Sequence, residues 1–175
     1  MIAGIDLGGT QIRVAVAGSD GRILGTRRAR TPELGGPAGT VRWAAAAIGR
    51  LARSEPVWVA GVGAPGPLDP VRGVLVNPPN LPGWRKNLPL GQLLSDALRA
   101  PVHVENDANV AAVGELTRGA GRGARNLVYV TWSTGIGSGL ILEGRLFAGA
   151  HGTAGEVGHM ILDPGGPLCA CGQRG

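Results

Sequence analysis

Two alternating apolar runs joined by paired glycines, residues 2–16 (I-A-G-I-D-L-G-G-T-Q-I-R-V-A-V), constrain this chain more than any other stretch. Ile12, Val14 and Val16 recur at every second position, the period of a strand with one buried face, and Gly8-Gly9 marks a tight connection. The pattern predicts a hairpin whose tip exposes the Asp6 carboxylate, the amides of Gly8 and Gly9, and the Thr10 hydroxyl. Glycines let backbone N–H groups approach an anion without Cβ obstruction, and a nearby Asp can hold a hydrated Mg²⁺. That chemistry is phosphate handling. A turn with only a structural purpose is the competing account at this point.

Asp20-Gly21 then predicts a second hairpin leading to a third strand, residues 23–30. Residues 31–39 read as a Gly/Pro-rich loop. Val41, Ala44, Ala45, Ile48, Leu51 and Ala52 have helical spacing, which predicts a helix over residues 40–53 with Thr40 as its N-cap. The continuous apolar run 57–62 predicts a strand buried on both faces of a parallel sheet. It ends in a stiff loop, residues 63–67 (G-A-P-G-P), at the strand edge where open α/β sheets place ligands, and Gly66 is assigned to the substrate side there. In N-P-P-N-L-P-G-W, residues 77–84, the prolines hold the backbone so that Asn80 presents its amide at low entropic cost; turn chemistry alone also accounts for it.

A short helix is predicted over residues 90–98, a strand over 101–105, a helix from Asn106-Asp107 to about Leu116, and strands over 126–133 and 139–143. Residues 134–138 are their connection, residues 149–155 are flexible, 157–162 are a further strand, and 163–175 are irregular. The order of elements predicts an α/β fold with two domains, residues 1–107 and 108–175.

With 43% hydrophobic and 17% charged residues the chain has a globular composition, and disorder is excluded. No apolar run reaches bilayer length and no charged segment precedes an apolar signal region, so a soluble cytoplasmic protein without a membrane partner is expected. The net charge of +5 comes from arginines spread over loops and helix faces, and aromatic residues make up only 3%. Nucleic-acid binding calls for concentrated basic charge and stacking rings, so no nucleic-acid partner is expected. Cys169 and Cys171 are too close for an unstrained disulfide and are better placed as metal ligands.

Asp107 is the strongest catalytic candidate. It stands where a strand meets a helix, and helix N-terminal amides favour an ionised carboxylate that can take a proton from an attacking hydroxyl. The competing reading is a simple N-cap. Residues 132–139 (W-S-T-G-I-G-S-G) make a second glycine-rich tip, so Thr10 and Thr134 would grip a polyphosphate from two sides. Neither a P-loop nor a protein-kinase catalytic loop is present. Glu156 and His159 follow in G-E-V-G-H; in an extended segment they point to opposite faces, so a turn is needed for both to reach one ligand. His159, Cys169 and Cys171 supply three of the four ligands that structural Zn²⁺ requires.

Taken in order, D-L-G-G-T, G-A-P-G-P, N-P-P-N-L-P-G-W, E-N-D-A-N, S-T-G-I-G-S-G, G-E-V-G-H and C-A-C-G resemble the ROK family of bacterial sugar kinases, its glucokinase branch above all. The resemblance implies the actin-like, hexokinase-like (ribonuclease H-like) pair of α/β domains around a cleft. It implies ATP-dependent phosphorylation of a hexose, glucose first, at the 6-hydroxyl. Asp107 would be the base; Asn80, Asn106, Glu156 and His159 would bind sugar. Gly8, Gly9, Thr10, Thr134 and Gly135 would line the ATP phosphates, Asp6 would sit near Mg²⁺, and His159 would double as a zinc ligand beside Cys169 and Cys171. It further implies a homo-oligomer, dimer or tetramer, and a continuation past Gly175 holding another cysteine, another sugar-binding Glu and most of the nucleoside pocket. On that expectation the 175 residues alone lack catalysis. The alternative within the family is a sugar-sensing transcriptional regulator; a strand beginning at Ile2 leaves no room ahead of it for a DNA-binding segment.

Overall fold

Strands β1 (Ile2–Leu7), β2 (Gln11–Ala17) and β3 (Ile23–Arg30) form the expected antiparallel meander. The computed structural model describes every residue except Pro82, Arg85, Lys86, Ser133, Thr134 and Ala170. Alternation does what the sequence requires: Ala3, Ile5, Leu7, Ile12, Val14 and Val16 all face the core. Gly21, at φ 76, supplies the left-handed residue of the β2–β3 connection.

Contrary to expectation, residues 31–39 are not a loop. Thr31–Leu34 form a 3₁₀ turn, Gly35 reverses the chain at φ 73, and helix α1 (Gly36–Leu51) starts four residues before Thr40. Thr40 is therefore no N-cap: its buried hydroxyl donates to the Gly36 carbonyl at 2.9 Å, one turn back inside the helix. Glycine is a poor helix former, so G-G-P-A-G concealed the first turn from a propensity reading. Gly39 is needed there, because a Cβ would overlap the Leu34 carbonyl.

Strand β4 (Val59–Ala64) begins two residues later than its apolar run and extends through Gly63 and Ala64, which pair opposite Glu105 and Asn106. A small hairpin, β5 (Leu68–Asp69) and β6 (Val74–Leu75), follows, then helix α2 (Leu90–Leu98) and strand β7 (Val102–Asn106). The sheet order is β3-β2-β1-β4-β7, with β1, β4 and β7 parallel. Ala44, Ala47 and Ile48 of α1 and Leu90 and Leu94 of α2 join its inward residues in one core. The opposite face presents Gly4, Asp6, Arg13, Arg28 and His103, all exposed.

The chain divides into two compact units, Met1–Asp107 and Ala108–Gly175. The second holds most of helix α3 (Asp107–Arg118) and an antiparallel sheet of order β10-β9-β8, made of β8 (Leu127–Trp132), β9 (Ile136–Leu142) and β10 (Arg145–Leu146). Strand β9 starts three residues earlier than predicted, so Gly137 and Ser138 lie in the ladder rather than in a turn. Its glycines let α3 approach: a Cβ on Gly139 would stand 2.6 Å from the Ala112 methyl and 2.7 Å from the Ala108 carbonyl oxygen. The strand expected over residues 157–162 is instead a 3₁₀ turn, Val157–His159, where a Cβ on Gly158 would overlap the Ile136 carbonyl. Among the described residues no helix is long and apolar enough to cross a membrane.

Candidate active site

In the first unit the turn after β1 is held from outside itself. The Gly8 N–H donates to the Gln11 carbonyl at 2.8 Å, closing the hairpin. Thr31, the first residue of the 3₁₀ turn after β3, donates its hydroxyl to the Gly8 carbonyl at 2.7 Å and its N–H to the Thr10 carbonyl at 3.0 Å. Sequence reading passed over Thr31; its only signal was a Thr-Pro pair directly after an alternating strand. Asp6 lies exposed on the outward face of the sheet, opposite Arg13 on β2 and Gly63 on β4.

Gly9 brings two candidate loops together. A Cβ there would overlap the backbone carbonyl oxygen of Asn80. The loop carrying Asn80 is anchored by Leu81, only 2% exposed, whose N–H donates to the Pro78 carbonyl at 3.1 Å. Burying Leu81 leaves Asn80 exposed on the adjoining position, next to the turn.

The carboxyl ends of β4 and β7 form the third part of this unit's cluster. Ala64 pairs with Asn106, and the peptide after Gly66 is cis. A Cβ on Gly66 would lie 3.6 Å from the Asn106 side-chain amide nitrogen, so Gly66 and Asn106 are neighbours. The Glu105 carboxylate accepts the Asn106 N–H at 2.8 Å. Asp107 follows at the first turn of α3, exposed.

In the second unit the 3₁₀ turn supplies the bend that Glu156 and His159 need to share a side. His159 Nε2 lies 3.9 Å from a Glu156 carboxylate oxygen. Its other nitrogen, Nδ1, lies 3.7 Å from Cys169 Sγ. The ligand atoms of His159, Cys169 and Cys171 lie within 4.8 Å of one another. Bonds of about 2.3 Å to sulfur and 2.0–2.1 Å to nitrogen, at tetrahedral angles, separate such ligand atoms by about 3.6 Å, so the three fit a zinc ion. The C-x-C turn is tied by Cys169 N–H to the Gln173 carbonyl at 2.8 Å and Gly172 N–H to the Cys169 carbonyl at 3.0 Å. The Cys171 backbone amide, the Cys171 thiol and His159 together hold the Cys169 thiol below its ordinary pKa, against a smaller opposing effect of desolvation. Gly135 is exposed at the bend before β9, and Thr134 lies outside the described residues.

The family model of the ROK family matches residues 2–175. A glucokinase of Thermotoga maritima is 38% identical over 174 residues, which are 99% of this chain and 55% of that protein. Among solved structures, a ROK hexokinase from Thermus thermophilus superposes with a TM-score of 0.83 at 43% identity, over 99% of this chain and 57% of that one. A ROK family glucokinase from Streptomyces griseus, in complex with glucose and AMPPNP, gives 0.85 at 37% identity, over 99% and 55%. A xylose repressor of Bacillus subtilis is also similar, 38% identical over 123 residues covering 69% of this chain and 31% of that protein. The chain thus spans about 55% of the length of the Thermotoga glucokinase. Its mixed α/β fold is the actin-like, hexokinase-like one of these neighbours, and the chain belongs to the ROK family.

Proposed function

We propose that this chain carries the sugar-binding and phosphate-binding residues of an ATP-dependent hexokinase that phosphorylates a hexose, glucose first, at its 6-hydroxyl. The observation that carries the reading is Asp107, exposed at the first turn of α3 directly after Asn106, with Gly66 against the Asn106 amide. Asp107 accepts the proton of the 6-hydroxyl as that oxygen bonds to the γ-phosphorus and the bridging oxygen leaves with ADP. Asn80, Asn106, Glu156 and His159 orient the sugar, while Gly8, Gly9, Thr10, Thr134 and Gly135 meet the donor phosphates. Asp6 offers the hard carboxylate oxygen that Mg²⁺ takes, and the bound ion supplies charge neutralisation for the phosphates.

His159, Cys169 and Cys171 would hold zinc in a structural role in this reading: His159 turns Nδ1 toward Cys169 and Nε2 toward Glu156, and a bound ion would restrain that ring. Metal analysis of the full-length gene product should find zinc bound in the wild type and lost in Cys169→Ser. Equal zinc in both would contradict the assignment.

A coupled ADP-release assay of the full-length gene product against glucose, mannose, allose and N-acetylmannosamine tests the kinase reading. Turnover is expected, greatest with glucose. The likeness to the xylose repressor favours a second reading, a sugar-sensing regulator. That reading requires a sugar bound in calorimetry with no ADP released for any member of the panel.

A further inference from the structure

We infer that Thr31 is a positioning residue for the donor phosphates, one that sets which atoms the Gly8-Gly9-Thr10 turn shows to an anion. The inference rests on the hexokinase reading for the identity of the anion. A turn of this kind has as many carbonyl oxygens as amides, and it binds phosphate only when the amides face out. Nothing in Gly8-Gly9 enforces that: with no Cβ on either side, the peptide between them can turn over at little steric cost.

Thr31 removes this freedom. Its hydroxyl holds the Gly8 carbonyl and its N–H holds the Thr10 carbonyl, so two of the turn's three acceptors are committed inward. The Gly8 carbonyl and the Gly9 N–H belong to one planar trans peptide and point in opposite directions. Holding the oxygen toward Thr31 therefore holds the Gly9 N–H away from it. Among the described residues the Gly9 and Thr10 amides donate to no protein acceptor, whereas the Gly8 amide is spent on Gln11. What remains for a ligand is two N–H groups and the exposed Thr10 hydroxyl, with one backbone carbonyl, that of Gly9, not held by Thr31; donors outnumber acceptors, which suits phosphate oxygens. Thr31 is 3% exposed, so its hydroxyl has this carbonyl in place of water. It touches no substrate and acts through the turn.

The test uses the full-length gene product with Thr31→Val, which keeps the shape and removes the donor, and Thr31→Ser, which restores the donor. Calorimetric titration with AMPPNP and with glucose is read alongside KM for ATP and for glucose. Thr31→Val should weaken AMPPNP binding and raise KM for ATP about tenfold, the scale of one buried acceptor left without its donor. Glucose affinity should stay within about twofold, and Thr31→Ser should return AMPPNP binding to within about threefold of wild type. Should Thr31→Val fail to fold, as judged by its melting curve, Thr31→Cys, near in size and a weak donor, takes its place in the comparison. Unchanged AMPPNP affinity, a parallel loss of AMPPNP and glucose binding, or no rescue by Ser would each overturn the inference. If wild type releases no ADP with any hexose while the AMPPNP pattern holds, the hexokinase reading fails and the role of Thr31 stands.

Discussion

Gly9 is glycine for a reason other than access to an anion. The Asn80 carbonyl occupies the place of a Cβ, and both partners are backbone, so neither can yield by a rotamer change. Gly9→Ala must push the loop of Asn80 away from the turn, against the anchoring of Leu81 in the core. Overpacking of this kind costs about 1–3 kcal/mol, so KM for glucose in the full-length protein should rise about tenfold. An unchanged KM for glucose would show that the two loops are not mechanically joined. The residue-level signal in the sequence was therefore right in position and incomplete in cause: D-L-G-G-T announces a glycine turn, but the second glycine answers to a residue 71 positions later. Thr31 was illegible for the same reason. Its importance comes from a hydrogen bond across 23 residues, and local spacing carries no trace of that.

At the level of elements, alternation and continuous apolar runs located the sheet strands well, because burial of one or both faces leaves a periodic mark. The departures share one cause, which is glycine in regular structure. Helix α1 begins in G-G-P-A-G and strand β9 in I-G-S, so the first turn of the helix and the first three residues of the strand were read as loop. In β9 the missing side chains are filled by Ala108 and Ala112 of α3, a packing partner that propensity cannot see. Gly139→Val should accordingly destabilise the second unit by about 2–3 kcal/mol, measured as a lowered thermal or denaturant midpoint of the full-length protein. A midpoint unchanged from wild type would mean that β9 and α3 do not pack as closely as this. The 3₁₀ turn Val157–His159 replaces a predicted strand because Gly158 packs on the Ile136 carbonyl, and the bend is what sets His159 within 3.9 Å of Glu156.

For the molecule as a whole, a meander followed by parallel strands was readable as an α/β sheet, and the order β3-β2-β1-β4-β7 follows from it with β1 at the centre. The second unit was less legible. Its sheet has one glycine-lined face against α3, while Val128, Val130 and Trp132 on the other are 60%, 55% and 86% exposed, so hydrophobicity there does not mark an inner face. The candidate site was legible to the extent that its residues sit at strand ends: Asp6 near the end of β1, and Asn106 at the end of β7 running into Asp107. The central claim is that Asp107 takes the proton in phosphoryl transfer, and its most direct test is Asp107→Asn in the full-length gene product, with ADP release and glucose binding measured side by side. Turnover should fall about 10³-fold while glucose affinity stays within about twofold of wild type. Near-normal turnover in this variant would contradict the account.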